Sequence, residues 1–269
     1  MVVGIIAGRG ALPQILYKHL KSKNTKVAIA FIGNSNFQTR ESEAITANFG
    51  EVGKIINFFK KSKVTDIVLI GGVTKPKFSE LKLDFQAGLL LSKILKNKLL
   101  GDNALLSTVI SFLEQKSFQV KAINDFLPEL LAQPGDNCTI KCPKKLINKE
   151  LSFGQEVINS LADYDIGQAI VTQNNRVLAV EAAEGTDAML KRAAEFIDKD
   201  HKQPALLFKL SKKNQDRRVD LPTIGTNTIK LMLKYQLKGL IIEAHNSLIV
   251  NKDEVFALAA THKIFIYAV

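Results

Sequence analysis

The sequence of 269 residues contains no tryptophan, two cysteines and four histidines, and each shortage excludes a class of protein. Without tryptophan, and without a strand in which basic and aromatic residues alternate, the chain lacks the usual surface on which RNA bases stack. Cys138 and Cys142 stand apart from the scattered histidines, so a four-ligand zinc site is not expected. We interpret both cysteines as ordinary loop residues without a disulfide.

Long apolar runs are also absent from the sequence. No run reaches the roughly 20 residues that a membrane-spanning helix requires. The N-terminal stretch MVVGIIAGRG lacks the basic start and the long apolar centre of a signal peptide, and it is typical of a first β-strand. We therefore expect a cytoplasmic protein.

Positive charge is in excess, since 37 Lys and Arg residues stand against 26 Asp and Glu residues, for a net charge of +11. An excess of this size favours an anionic partner, namely a nucleic acid, a phosphorylated metabolite or an acidic lipid surface. The alternative is a general enrichment in lysine that is unrelated to any partner. The net charge alone does not separate these two interpretations.

Strands and helices alternate along the first half of the chain. Apolar runs such as Val2–Ala7 and Val64–Ile70 end at glycines, which is typical of buried parallel strands. The alternation predicts an α/β protein of two domains, beginning with a Rossmann-like domain over residues 1–131 that has a parallel sheet with helices on both faces. Residues 132–150 contain two prolines and a glycine and predict a linker, and a smaller mixed α/β domain is expected over residues 151–269.

Three local patterns set expectations for the second domain. A capping signature at its start predicts a helix over residues 152–162. The pair Asn174-Asn175 tolerates positive φ and predicts a β-hairpin. The Asp-Leu-Pro sequence at Asp220 predicts the N-cap of a helix that begins near Thr223.

Two glycine-rich stretches, GIIAGRGALP at residues 4–13 and IGGVTKP at residues 70–76, stand where predicted strands end. Backbone amides at such turns, together with a helix N-terminus, bind phosphate groups, and ligands of open α/β sheets gather at this edge. Pro13 replaces a glycine of the dinucleotide fingerprint and the second strand ends without an acid, so NAD or FAD is not expected. The alternative is a plain tight turn with Pro13 in the first helical turn.

Acidic residues surround a predicted helix start in the second half. Glu181, Glu184 and Asp187 flank Thr186, which is a good N-cap. One interpretation is that these acids only complement the helix dipole. The other is that they supply oxygen ligands for a divalent metal beside a phosphate.

A basic run leads up to a single aspartate, Asp220. Pyrophosphate chemistry requires cations that neutralise phosphate oxygens and a carboxylate that holds Mg²⁺ or activates water. Asp220 fits the second role, and helix capping is an alternative that is compatible with it. The cations of the run are Lys209, Lys212, Lys213, Arg217 and Arg218.

Five stretches, in order along almost the whole chain, resemble one family. They are GIIAGRGALP, GDNALL (101–106), DIGQAIV (165–171), VLAVEAAEGTDAMLKR (177–192) and RVDLPTIG (218–225). The chain resembles the LpxI-type UDP-2,3-diacylglucosamine pyrophosphatases of Gram-negative lipid A synthesis. The resemblance implies hydrolysis of the pyrophosphate of UDP-2,3-diacylglucosamine to UMP and 2,3-diacylglucosamine 1-phosphate (lipid X), with a divalent cation such as Mg²⁺. It also implies two α/β domains with the glycolipid between them.

The resemblance assigns an essential role to one residue, Asp220, which is expected to be catalytic and to hold the metal. The chemistry of pyrophosphate hydrolysis further predicts Arg218 and Lys209 as catalytic cations. The first glycine loop reads AGRG where AGGG is expected, which leaves the contact of Arg9 open. The expected substrate-binding residues are Gly10, Ala11, Leu12, Gly72, Val73, Glu184, Gly185, Thr186, Asp187, Lys209, Gln215 and Thr223.

The expected partners follow from the substrate and from the charge. UDP-2,3-diacylglucosamine and lipid X carry acyl chains, so the enzyme requires an apolar chamber and visits the cytoplasmic face of the inner membrane as a peripheral protein. We expect no nucleic-acid partner, and homodimer formation stays open. Two other readings stay open as well: a basic nucleic-acid-binding module that is not an enzyme, and another nucleotide-sugar-binding enzyme.

Overall fold

The computed structural model describes residues 1–33, 37, 39, 43–74, 81–96, 102–212 and 215–269. The chain divides into two compact units. The first consists of Met1–Glu129 and Asp216–Val219, and the second of Leu130–Gln215 and Asp220–Val269. The second unit is about as long as the first, because residues 130–150 belong to it.

A five-stranded sheet forms the centre of the first unit, in the order β3-β2-β1-β4-β5, and every neighbouring pair is parallel. The predicted parallel α/β architecture is confirmed. Because no strand is antiparallel, the carboxyl ends of β1, β2 and β4 lie at one edge, as the sequence predicted for its glycine loops. The strands are β1 (Val2–Ala7), β2 (Lys26–Ile32), β3 (Ala44–Ala47), β4 (Asp66–Ile70) and β5 (Gln119–Val120).

Helices cover both faces of this sheet. On one face, Phe59 and Ile110 pack with Ala28, Ala30 and further apolar residues of the strands. On the other face, the first helix packs on β1 and β2 through its buried leucines. The helices are α1 (Leu12–Ser22), α2 (Val52–Lys61), α3 (Phe85–Lys96) and α4 (Asp102–Glu114).

One carboxylate fixes the starts of both α2 and α3. Asp84 Oδ2 accepts hydrogen bonds from the backbone N–H of Gly53 at 2.7 Å and of Lys54 at 3.4 Å. Its other oxygen, Oδ1, accepts one from the N–H of Ala87 at 2.8 Å. Each bond satisfies a donor that a helix N-terminus leaves unpaired, so Asp84 holds the two helix starts side by side.

A six-stranded mixed sheet forms the second unit, in the order β6-β13-β11-β9-β7-β8. The central strands β9, β11 and β13 are parallel, while β6, β7 and β8 pair antiparallel. The strands β10 and β12 form a separate two-stranded sheet. The strands of the second unit are β6 (Gly135–Asp136), β7 (Ala169–Gln173), β8 (Arg176–Val180), β9 (Leu206–Lys209), β10 (Thr223–Ile224), β11 (Gly239–Ile242), β12 (Leu248–Ile249) and β13 (Phe265–Ala268). The helices are α5 (Lys144–Ala162), α6 (Thr186–Ala193), α7 (Thr226–Lys234) and α8 (Lys252–Thr261).

The predicted hairpin is confirmed, since β7 and β8 are joined through Asn174 and Asn175, both with φ of 54°. The predicted helix start at residue 152 is wrong, because α5 begins at Lys144 with Pro143 as its N-cap. Ile147 continues the apolar face of this helix upstream and is buried in the core. Residues 144–150, expected within a linker, are therefore two helical turns.

The predicted helix start near Thr223 is also wrong. Thr223 and Ile224 form the short strand β10, which pairs in parallel with Leu248 and Ile249 of β12. The helix that follows, α7, begins at Thr226, and its N-cap is Gly225. Asp220 therefore does not cap this helix.

Candidate active site

An apolar cavity of about 230 Å³ lies in the first unit, at the carboxyl edge of its sheet. Four of the sequence stretches singled out above contribute to its wall. Ile6 and Gly8 come from the first glycine loop, Gly71 from the second, and Val219 from the stretch that contains Asp220. The remaining lining residues come from the sheet, from the helices α2, α3 and α4 and from neighbouring loops: Ile32, Asn48, Phe49, Val52, Ile55, Ile56, Leu69, Ile70, Val73, Leu90, Leu105, Leu106, Val109, Phe112 and Leu113.

The cavity wall reaches the surface at Val73. This side chain lines the cavity and is 51% exposed. Leu105 and Leu106, which line it from α4, belong to the stretch GDNALL. The neighbouring Asn103 accepts a hydrogen bond at 3.2 Å from the backbone N–H of Asp216, three residues before Val219. The stretches GDNALL and RVDLPTIG therefore meet at one wall of the cavity.

The two glycine loops bind each other through their backbones. Arg9 N–H donates to the carbonyl of Gly72 at 2.8 Å, and Gly72 N–H donates to the carbonyl of Arg9 at 2.9 Å. A Cβ on Gly8 would lie 2.6 Å from the carbonyl oxygen of Gly72, and one on Gly71 would lie 2.7 Å from that of Arg9. Glycine is required at Gly8 and Gly71 because the two loops approach too closely for a side chain.

Because of this contact, one of the backbone amides that was expected to bind phosphate already has a partner within the protein. The amide of Gly72, expected to bind substrate, is bonded to Arg9. The sequence left the contact of Arg9 open. Its Nη2 donates to Thr74 Oγ1 at 2.7 Å, which adds a third hydrogen bond between the two loops. Ala11 is the N-cap of α1 and makes no side-chain capping bond, with Leu12 as the first helical residue. Binding of substrate by Gly10, Ala11, Leu12, Gly72 and Val73 stays a prediction.

A half-buried chain of hydrogen bonds lies at the carboxyl end of β9 in the second unit. Lys209 Nζ donates to Thr186 Oγ1 at 2.9 Å, and the Thr186 hydroxyl donates to Glu181 Oε1 at 2.6 Å. Glu181 Oε2 accepts the backbone N–H of Gln168 at 3.0 Å. Thr186 is the first residue of α6, and the preceding Gly185, with φ of +81°, gives the backbone the left-handed turn that starts this helix.

Burial and three carboxylates have opposite effects on the charged form of Lys209. Burial lowers the pKa of the Lys209 ammonium below its ordinary value of 10.5, and the carboxylates of Glu181, Asp187 and Asp220 act in the opposite direction. Asp187 also accepts a hydrogen bond from Asn227 Nδ2 at 3.2 Å. The structure therefore brings together Lys209, Thr186, Asp187 and Asp220, which the sequence had singled out from three separate segments.

The loop that carries Asp220 is held by Gln215. Gln215 is 7% exposed, and its Oε1 accepts the backbone N–H of Lys212 at 2.9 Å. Its Nε2 donates to the backbone carbonyl of Asp220 and, at 3.4 Å, to Gln168 Oε1. These bonds join Gln215 to its own loop and to Gln168, so they fix the backbone at Asp220. Substrate contact by Gln215 stays a prediction.

Two cations of the basic run, Lys212 and Arg218, are paired with protein carboxylates. Lys212 forms a salt bridge with Asp165. Arg218 donates to both oxygens of Asp216, at 3.0 and 2.8 Å, and to Glu114 at 2.7 Å. These partners were not predicted. Lys213 lies outside the described residues.

Arg218 is not part of the Lys209 group, since it belongs with Asp216 and Glu114 to the first unit. The hydrogen bonds to Asp216, with those to Glu114, raise the pKa of Arg218 above its already high ordinary value. The same contact lowers the pKa of Asp216. Within the part of the chain that the structure describes, three of the five guanidinium N–H donors are used in this way.

Two other expected substrate residues have partners of their own. Glu184 forms a salt bridge with Arg192, and its own backbone amide, followed by Arg192, lowers the pKa of the Glu184 carboxyl. Thr223 lies in β10, and its Oγ1 donates to the carbonyl of Leu221 at 3.0 Å. Substrate contact by Glu184, Gly185 and Thr223 stays a prediction.

Sequence reasoning missed two contributors to this site. Gln168 supports Glu181 and meets Gln215, and Asp165 neutralises Lys212. Both belong to the stretch DIGQAIV, so the signal was present in a motif whose individual side chains had been given no role.

A metal ion would have to be held largely by substrate. Within the described ranges, no three Asp, Glu, His or Cys side chains converge into a group that could hold one. Three carboxylates nevertheless act on the charge of one ammonium, that of Lys209, so a diphosphate at this place would need a further cation beside it. Mg²⁺ commonly uses one or two protein carboxylates together with phosphate oxygens and water. The carboxylate of Asp220 is of the chemical type that serves as one protein ligand of such an ion, and metal binding by Asp220 stays a prediction.

Comparison with known proteins covers both units. The sequence model of the LpxI N-terminal domain matches residues 2–130, and that of the LpxI C-terminal domain matches residues 135–267. UDP-2,3-diacylglucosamine pyrophosphatase LpxI of Caulobacter vibrioides is 30% identical to the chain over 275 residues, which are 99% of this chain and 97% of that protein.

Similarity to solved structures is weak. A short-chain dehydrogenase family protein of Francisella tularensis is 15% identical, with a TM-score of 0.25, over 61% of this chain and 63% of that one. A short-chain dehydrogenase/reductase of Serratia marcescens is 14% identical, with a TM-score of 0.26, over 61% of this chain and 71% of that one. Scores this low carry no argument about fold or activity.

Proposed function

Because the chain belongs to the LpxI family, we propose that it hydrolyses the pyrophosphate bond of UDP-2,3-diacylglucosamine to UMP and 2,3-diacylglucosamine 1-phosphate (lipid X), in lipid A synthesis. The observation that carries the proposal is the convergence of separate sequence motifs on two places. Four motifs line the apolar cavity of the first unit, and two motifs supply the carboxylates that act on Lys209 in the second. Val219, in the cavity wall, is followed directly by Asp220.

The apolar cavity supplies a place for an acyl chain. Its lining is almost entirely aliphatic or aromatic, and the polar exception, Asn48, comes from a loop. An apolar cavity of about 150 Å³ accommodates a benzene ring, so a cavity of about 230 Å³ takes a segment of one acyl chain. Burial of each methylene contributes about 0.8 kcal/mol, which is a strong reason for a diacylated substrate to bind here.

In the proposed reaction, a water oxygen adds to one phosphorus while the bridging P–O bond breaks, and the net result is addition of one water. Lys209 stabilises the negative charge that gathers on the phosphate oxygens. One of its three N–H donors is used by Thr186, and that bond holds the ammonium in place before the substrate arrives. Thr186 and Glu181 are therefore positioning residues in this scheme.

Asp220 orients the attacking water or holds the cation. Its backbone is fixed by Gln215, and it is not occupied as a helix cap. Mg²⁺, when bound through Asp220 and phosphate oxygens, would supply the positive charge that the carboxylates around Lys209 call for. Arg218 is held by Asp216 and Glu114 in the first unit, and we propose separately that its guanidinium binds a phosphate oxygen.

We place the enzyme at the cytoplasmic face of the inner membrane, as a peripheral visitor that collects a lipid substrate. Among the residues that the structure describes, none of the helices is both long and apolar enough to cross a bilayer. The net charge of +11 favours an anionic lipid surface.

The deciding experiment is an assay of the purified chain with radiolabelled UDP-2,3-diacylglucosamine, with Mg²⁺ and with a chelator. Release of UMP and lipid X that stops with the chelator and returns with excess Mg²⁺ is the expected result. Release that is unaffected by the chelator would remove the metal from the proposal. Absence of hydrolysis with Mg²⁺ present would refute the proposed activity.

A further inference from the structure

The outer face of helix α3 is unusually apolar for an exposed surface. Phe85 is 77% exposed and Leu95 is 66% exposed, and Leu89 and the preceding Leu83 are each 40% exposed. Phe85, Leu89 and Lys96 follow one another at spacings of four and seven residues, so they lie on the same side of the helix. Exposed apolar side chains grouped in this way mark an interaction surface.

The inner face of the same helix serves the cavity. Ala87 and Leu90 are buried, and Leu90 lines the apolar cavity together with α2 and α4. The helix is thus part of the cavity wall on one side and an apolar surface on the other. Its start is pinned to α2 through the carboxylate of Asp84, so the exposed face is presented from a fixed helix.

The charges on this face are positive. Lys82, Lys93 and Lys96 are exposed in or beside α3. Asp84, the acidic residue of the described segment 81–96, is committed to the N-termini of α2 and α3. An apolar face bordered by lysines is the pattern of a helix that lies in the surface of an anionic bilayer.

We propose that α3 is a membrane-docking helix: Phe85, Leu89 and Leu95 enter the headgroup region of an anionic phospholipid bilayer, and Lys82 and Lys96 contact lipid phosphates. A second copy of the chain fits less well, because a symmetric contact would set the lysines of one copy against those of the other. A nucleic-acid base stacks on an aromatic ring such as Phe85, but nucleic acid offers no aliphatic environment to Leu89 and Leu95. This inference rests on the proposed function for the reason to visit a bilayer, but its test needs no substrate.

The first test measures binding of the full chain to vesicles by sedimentation. Vesicles of phosphatidylglycerol mixed with phosphatidylcholine are compared with vesicles of phosphatidylcholine alone. The variant Phe85→Ser/Leu89→Ser/Leu95→Ser is expected to bind mixed vesicles at least about tenfold more weakly than the parent. The matched control Phe196→Ser/Leu233→Ser, which removes exposed apolar residues of the second unit, is expected to bind like the parent. Lys82→Gln/Lys96→Gln should lose the preference for phosphatidylglycerol.

The second test does not depend on a loss of binding. Because the chain has no tryptophan, Phe85→Trp introduces a single reporter, and Phe196→Trp gives its control. The emission of Phe85→Trp should shift to the blue on mixed vesicles and be quenched by brominated lipid, while that of Phe196→Trp stays unchanged. Equal behaviour of the two reporters, or parent-like vesicle binding by the triple serine variant, overturns the proposal. So does a dimer of the parent chain that the triple serine variant abolishes, because α3 would then cover a second copy.

Vesicle binding without hydrolysis would reject the proposed function and leave the docking helix in place. Hydrolysis of a detergent-dispersed substrate without vesicle binding would support the proposed function and reject the docking helix. The triple serine variant should keep parent-like turnover of that dispersed substrate, because its three side chains face away from the cavity.

Discussion

Lys209 Nζ lies 2.9 Å from Thr186 Oγ1, and that single hydrogen bond joins the end of β9 to the first residue of α6. Thr186 in turn donates to the buried Glu181, so the Lys209 ammonium is anchored on that side. The carboxylates of Asp187 and Asp220 also stabilise its positive charge. A lysine held in this way can act on a phosphate without first being ordered by it.

The Lys209 ammonium should limit activity on the alkaline side. Burial lowers its pKa below 10.5 in the folded chain, so the charge is lost at a lower pH than in an unfolded one. We expect kcat/KM to fall as pH rises through this lowered pKa. In Lys209→Arg, whose guanidinium keeps its charge, residual activity should persist to higher pH. An unchanged alkaline limb in this variant would remove Lys209 from the reaction.

The same group sets a pH dependence of stability. Between the lowered pKa and 10.5, the unfolded chain binds more protons than the folded one, so the contribution of Lys209 to the free energy of unfolding rises with pH. Urea unfolding over this range should show the rise in the parent and not in Lys209→Met.

Asp220 should be required for turnover and not for folding. Because it does not cap α7, replacement by Asn removes a charge and leaves the helix start intact. We expect Asp220→Asn to lower kcat by at least about 100-fold with little change in melting temperature. Asp163→Asn, at an exposed residue of the second unit, is the control and should be fully active. Near-normal turnover by Asp220→Asn at saturating Mg²⁺ would refute the assignment.

Arg218 combines two contributions that a pair of variants can separate. Arg218→Ala and Glu114→Gln both break the exposed bond between them, and loss of that bond should cost about 1 kcal/mol of stability or less. Arg218→Ala also breaks the two bonds to Asp216, so Asp216→Asn serves as a second control for that loss. If the remaining guanidinium donors reach phosphate, Arg218→Ala should lose at least about tenfold more in kcat/KM than Glu114→Gln. Equal losses would make Arg218 a structural residue only.

The contact between the glycine loops predicts opposite outcomes at neighbouring glycines. Gly71→Ala places a Cβ 2.7 Å from a carbonyl oxygen at a φ of +96°, and it should destabilise the first unit by about 2–4 kcal/mol. For Gly72→Ala no atom lies within 4 Å of the new Cβ, and the change should stay within about 0.5 kcal/mol. Urea unfolding measures both. An equal loss of stability in the two variants would show that the close contact between Gly71 and the carbonyl oxygen of Arg9 does not determine the stability of the loops.

Local sequence patterns predicted those parts of the fold that depend on local physics. The parallel sheet followed from apolar runs that end at glycine, and the hairpin from two asparagines that accept positive φ. The start of α5 was missed because Pro143 was taken as a break in the chain, whereas proline is well tolerated where a helix begins. The strand β10 was missed because its partner β12 lies outside any local window.

The sequence predicted four residues that the structure brings together, but it did not predict how the charges around them pair. Lys209, Thr186, Asp187 and Asp220 were singled out by residue type and spacing. The neutralisation of Lys212 by Asp165, 47 residues away, and of Arg218 by Glu114, 104 residues away, depends on contacts that only the folded chain makes. Spacing identifies which charges exist, and tertiary structure decides which of them remain available to a ligand.

The return of Asp216–Val219 to the first unit has a consequence for the order of synthesis. Residues up to Glu129 leave the ribosome long before these four, and until then the first unit lacks Val219 in its cavity wall and Arg218 beside Glu114. The residue that follows Val219 is Asp220. A nascent chain therefore completes its apolar cavity only when Asp220 is being added, so a partly made chain has no finished cavity in which to hold the acyl chain that we propose binds there.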